Sequence, residues 1–93
     1  MNDRNFIWNL VFLGKIIENY MVSNPRLVIE WYFPDEELGA LILVLGTQEA
    51  YALEKKYLMY HDIEEMDAFA FREKVLSMLD NMAKKVWGVT YEV

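Results

Sequence analysis

The run Ala40–Leu45, ALILVL, is apolar at every position and is the strongest constraint on how this chain can fold. A strand sends alternate side chains to opposite faces. Six apolar residues in a row therefore suit a central strand covered on both sides. Such a strand needs a neighbour along each edge. Gly46-Thr47 breaks the run.

The flanking sequence supplies two candidate neighbours. Upstream, Arg26–Phe33 alternates and is rich in β-branched and aromatic residues, as a half-buried strand is. Leu27, Ile29, Trp31 and Phe33 point one way; Arg26, Val28, Glu30 and Tyr32 point the other. Pro34-Asp35-Glu36-Glu37-Leu38-Gly39 reads as the connecting turn. Downstream, Glu49–Tyr60 fits a strand, with Tyr51, Leu53, Tyr57 and Met59 on one face, or a helix with Leu53, Tyr57 and Tyr60 in register. The strand is favoured, because ALILVL needs its second neighbour and the aromatic content is high.

Helical periodicity brackets these strands. Asp3 can cap a helix that runs to about Ser23, where Asn24-Pro25 forces the chain out of helical geometry. At 100° per residue Phe6, Ile7, Leu10, Leu13, Ile17, Tyr20 and Met21 share one face. The opposite side carries Arg4, Asn5, Asn9, Lys15, Glu18 and Asn19, but Trp8, Val11, Phe12 and Ile16 lie among them. Near the other end, Asp62 with Glu65 resembles a capping box, and Asp67 offers a second possible start. From there Phe69, Phe71, Val75, Leu79, Met82, Val86 and Trp87 belong to an apolar arc about 180° wide. Gly88 is the expected stop, and Val89–Val93 could add a short edge strand. The expectation is one α+β domain over residues 1–93, ordered α-β-β-β-α(-β). A small antiparallel sheet of three strands, or four, would pack with an N-terminal and a C-terminal helix.

Composition narrows the function. Of the 93 residues 55% are hydrophobic and 15% aromatic, which excludes a disordered chain. Fifteen acids against nine bases give a net charge of −6. That argues against direct nucleic-acid binding, where Lys and Arg must neutralise phosphates. Phe6–Ile17, interrupted by Asn9, Gly14 and Lys15, is far shorter than the ~20 apolar residues a membrane span requires. No cysteine is present, so a disulfide scaffold, a cysteine zinc site and thiol catalysis are out. A cytoplasmic location is compatible with that and is the expectation.

No catalytic motif stands out: there is no phosphate-binding glycine loop, no His-Glu-x-x-His and no nucleophile elbow. His61 is the single histidine and falls at a strand-to-helix junction. The acids beside it, Asp62, Glu64, Glu65 and Asp67, match no EF-hand spacing and are explained by helix capping. Neither an enzyme, a cofactor nor a metal site is expected. Arg72 falls within the apolar arc and would pair with an acid at the sheet rim, with Glu30 one candidate, or hold a ligand anion.

Surplus apolar surface is the more informative feature. If the first helix packs only on the sheet, Trp8, Val11, Phe12 and Ile16 remain exposed, and burying four such side chains is worth roughly 6–12 kcal/mol. The leading expectation is a non-catalytic interaction module, an accessory or inhibitor protein. It would form a homodimer or bind another protein through this helix, with Trp8 as anchor. Asp35, Glu36 and Glu37 in one loop and Glu64 and Glu65 in another could add an acidic contact, provided both loops lie at one end of the sheet. One alternative is a small-molecule pocket between sheet and helices, using Trp31, Tyr32, Tyr51, Tyr57 and Arg72. A weaker one is an acidic decoy for a nucleic-acid-binding protein.

Overall fold

A computed structural model describes residues 3–35 and 37–91, the last five by their backbone. The order is α1 (Asp3–Ser23), β1 (Leu27–Tyr32), β2 (Ala40–Thr47), β3 (Glu54–Met59), α2 (Tyr60–Glu65) and α3 (Ala68–Tyr91). The strands form one antiparallel sheet, β1-β2-β3, with ALILVL at its centre. This is the expected α+β class, with a short extra helix inserted before the last one.

Alternation along β2 decides where the core sits. Leu41, Leu43 and Leu45 point toward the helices and join Leu13, Ile17, Phe71, Val75, Leu79 and Met82 in the buried core. Both long helices therefore lie on the same face, in two layers. The described part measures 47 × 28 × 16 Å, and the 16 Å dimension has room for one helix layer on one sheet but no third layer. As expected, β2 is buried on both sides, but by different means. Its second face carries Ala40, Ile42 and Val44, all buried although no helix covers them, and the turn after β2 closes over this face at Gly46.

Two boundaries also differ from expectation. The third strand begins at Glu54 rather than Glu49, because the chain first closes a turn. There the Thr47 N–H donates to the Ala50 carbonyl at 2.9 Å, and the Ala50 N–H donates to Thr47 Oγ1 at 3.0 Å. Ala52 leaves this turn at φ 57°, a left-handed conformation that is costly for a residue with a Cβ. The turn folds so closely over β2 that a Cβ on Gly46 would lie 2.5 Å from the Ala50 oxygen; glycine is required. At the far end, α3 runs through Gly88 to Tyr91, so no edge strand forms over 89–91. Residues 92 and 93 of that expected strand lie outside the described residues. A lone glycine costs a helix about 1 kcal/mol, too little to end one that no proline terminates.

The start of α3 is set by Asp67. Its Oδ1 accepts the Ala70 N–H at 2.8 Å, an N-cap, while Asp62 sits inside the first turn of α2 and pairs with Lys74 at 3.5 Å. The last carbonyls of α2 have no helical partner of their own. Two asparagines of α1 satisfy them. Asn9 Nδ2 donates to the carbonyls of Ile63 at 2.8 Å and Met66 at 3.0 Å, and Asn5 Nδ2 to those of Glu64 at 2.7 Å and Met66 at 2.9 Å.

This bonding rotates α1 away from its expected orientation. Asn9, placed by sequence on the outer side, is 2% exposed, and Ile7, placed on the inner face, is among the exposed hydrophobic residues. The buried stripe is Asn9, Leu13, Ile16 and Ile17. At the C-terminal half of α1 the Tyr20 hydroxyl donates to Asp80 Oδ1 of α3 at 2.7 Å. Met21 sulfur accepts the Ile29 N–H at 3.4 Å, which occupies part of the free edge of β1.

Candidate interaction surface

The rotation of α1 divides the four residues singled out by sequence. Trp8 is 65% exposed and Val11 54%, as a contact surface requires. Phe12 is half-buried and packs against the core. Ile16, at 5%, is a core residue, and its expected place in an exposed patch is corrected: the turn toward Asn5 and Asn9 carries it inward.

What remains outside forms one wall of a crevice between α1 and the start of α3. Its first stretch, about 450 Å³, is lined by Asn5, Trp8, Asn9, Val11, Phe12, Lys15 and Ala68. A second, about 270 Å³, continues from Phe12 past Ile16, Asn19 and Tyr20 to Ser23 and Asn24, with Arg72 and Leu76 on the α3 side. Lys15 and Arg72 supply positive charge, and among the described residues no carboxylate lines either stretch, although the chain has fifteen acids. Arg72 reaches Glu73 at 3.3 Å, not Glu30, which corrects the sheet-rim pairing. Both partners are exposed, so this pair contributes little and leaves the guanidinium accessible.

The expected ligand pocket does not assemble. Trp31 faces the helix layer opposite Leu43, Tyr57 stands on the other face beside Ile42, and Arg72 lies in the α1–α3 crevice. Leucines with no exposed surface fill the space between the layers. Trp31 instead meets Phe33 edge-on at 5.8 Å, and Phe33 and Phe6 each contact Tyr60. Tyr51 donates its hydroxyl to the carboxylate of Glu30; that bond, then desolvation and the nearby negative charge, raises its pKa.

The two acidic loops do lie at one end of the sheet. Ala40 pairs with Met59, and the Tyr60 N–H donates to the Gly39 carbonyl at 2.9 Å, so Asp35 and Glu37 share that end with Glu64 and Glu65. Glu36 falls outside the described residues. Among the described residues no three side chains of the metal-binding types come together as a site. No described helix is long and apolar enough to cross a membrane.

Comparison of the chain with protein-family models, curated proteins and solved structures returns no match. The class defined by fold and surface is thus a two-layer α+β domain with a crevice along its first helix that the described residues line without a carboxylate.

Proposed function

We propose that this protein is a non-catalytic interaction module that receives an amphipathic helix of another protein in the α1–α3 crevice. The observation that supports this is the exposure of Trp8 and Val11 beside a crevice lined by Lys15 and Arg72 and, among the described residues, by no acid. Recognition of a helix in a groove uses apolar anchors at i, i+3, i+4 and i+7. Acidic flanks on the incoming helix would match Lys15 and Arg72 and would be repelled elsewhere on a surface of net charge −6. Such a module would serve as an accessory or inhibitory subunit, and we place it in the cytoplasm, consistent with the lack of cysteine.

Titration with two designed helical peptides tests this reading. They share one apolar stripe, and one carries glutamate flanks where the other carries lysine. The acidic peptide is expected to bind and to change tryptophan fluorescence, and Trp8→Ala to weaken it by at least about tenfold, or 1.4 kcal/mol. Trp8→Ala should leave the circular dichroism spectrum and unfolding midpoint unchanged. Equal binding of both peptides, or none by either, counts against the crevice as a helix receptor.

A further inference from the structure

We infer that two copies of this chain pair through the outward side of α1, with the two helices antiparallel. A helix lying on a domain surface ordinarily turns charged and polar residues to water. On the side of α1 opposite the buried Leu13, Ile16 and Ile17, this chain places Trp8, Val11 and Val22, all more than half exposed. Lys15 and Glu18 stand between Val11 and Val22, also exposed, and neither makes an ion pair or hydrogen bond among the described residues. Pro25, exposed as well, continues the line just past the end of the helix. From Trp8 to Pro25 the steps are three, four, three, four and three residues, the spacing with which a seam faces a second helix. The α1–α3 crevice lies about a quarter turn around α1, on the side of Phe12 and Asn19, so the pairing does not depend on it. Trp8, Val11 and Lys15, at its rim, belong to both surfaces.

The order of residues along the seam selects the occupant and its register. A two-fold axis midway between Lys15 and Glu18 sets Lys15 of each copy over Glu18 of the other. The same axis sets Val11 over Val22 and brings Trp8 to Pro25. Every contact across the seam then joins opposite charges or two apolar groups. Sliding one helix by a heptad sets Val11 over Lys15 and Trp8 over Glu18, so that neither charge is matched. A parallel pair sets Lys15 on Lys15 and Glu18 on Glu18. Self-complementarity of this kind is what a closed two-fold interface requires. The seam over residues 8–25 is about 27 Å long at 1.5 Å per residue and about 10 Å wide, a footprint of about 300 Å². That is below the ~800 Å² per partner of a standard interface, so the dimer is a weak one that forms with rising concentration.

Light scattering coupled to size exclusion, over about a hundredfold range of concentration, tests the pairing with charge reversals. Wild type is expected to move from monomer toward dimer. Lys15→Glu and Glu18→Lys should each raise the dissociation constant at least about tenfold. An equimolar mixture of the two variants should associate again, because each introduced charge then meets its opposite. Both positions are exposed, and circular dichroism checks that the fold is kept. The chain has no cysteine, so the register can be read directly. Val11→Cys mixed with Val22→Cys should form a disulfide-linked dimer on mild oxidation, and Val11→Cys alone should not. A wild type that stays monomeric overturns the inference, as does cross-linking by Val11→Cys alone. So does a dimer unmoved by the reversals but abolished by Arg72→Glu, which would seat the second copy in the crevice.

Discussion

Asn9 in α1 donates a hydrogen bond to the carbonyl of Met66, 57 positions along the chain. The same carboxamide serves Ile63, and Asn5, one turn earlier, serves Glu64 and Met66. The C-terminal end of α2 is thereby capped from a different helix, and the capping residues set the rotation of α1 about its axis.

Asn9→Ala removes two hydrogen bonds and leaves the Ile63 carbonyl buried without a donor. Each such loss costs about 1–3 kcal/mol, so a total of about 2–6 kcal/mol is expected from urea unfolding. Asn5→Ala, at a more accessible position, should cost less. Equal costs would show that burial of the Ile63 carbonyl adds nothing.

Gly46→Ala drives a Cβ to 2.5 Å from the Ala50 oxygen and 2.7 Å from the Ala52 nitrogen, both backbone atoms. Relief requires the 47–52 turn to shift, at about 1–3 kcal/mol. The unfolding midpoint should fall accordingly, whereas Gly14→Ala, with no atom within 4 Å of the new Cβ, should raise it slightly.

Alkaline stability reports on Tyr20. Burial, then its hydrogen bond to Asp80, then the charge of that carboxylate hold its pKa well above the usual phenol range. A pKa raised on folding means that the stabilisation is complete below the unfolded value, about 10, and is lost as pH rises beyond it. Tyr20→Phe should cost about 1 kcal/mol at neutral pH. The gap between variant and wild type should close above about pH 10; a gap independent of pH would show that Tyr20 ionises normally.

Much of the fold was legible from local pattern. The limits of α1, the alternation of β1, the ALILVL centre and the span of the last helix through Val86 follow from periodicity and punctuation that the structure repeats. What escaped depended on distant atoms. Asn5 and Asn9 read as outward polar residues because their acceptors, at 63, 64 and 66, belong to a turn that exists only in the folded state. Ile16 accordingly read as surface. The stretch Glu49–Leu53 read as strand because Tyr51 and Leu53 carry β-forming side chains, while the hydrogen bonds that bend it come from Thr47 and Ala50. The apolar second face of β2 was visible, but sequence could not say that both helices would choose the other face.

The bonds from Asn5 and Asn9 span 54 to 61 positions, and this orders events during synthesis. At about 5–20 residues per second, α1 exists for roughly 3–12 seconds before the carbonyls it will cap have been made. Local contacts form in microseconds, so the strands can pair into hairpins while α1 still waits with Leu13, Ile16 and Ile17 uncovered. The carbonyls that fix the rotation of α1 are therefore made well after α1 itself, and its final seating waits for them.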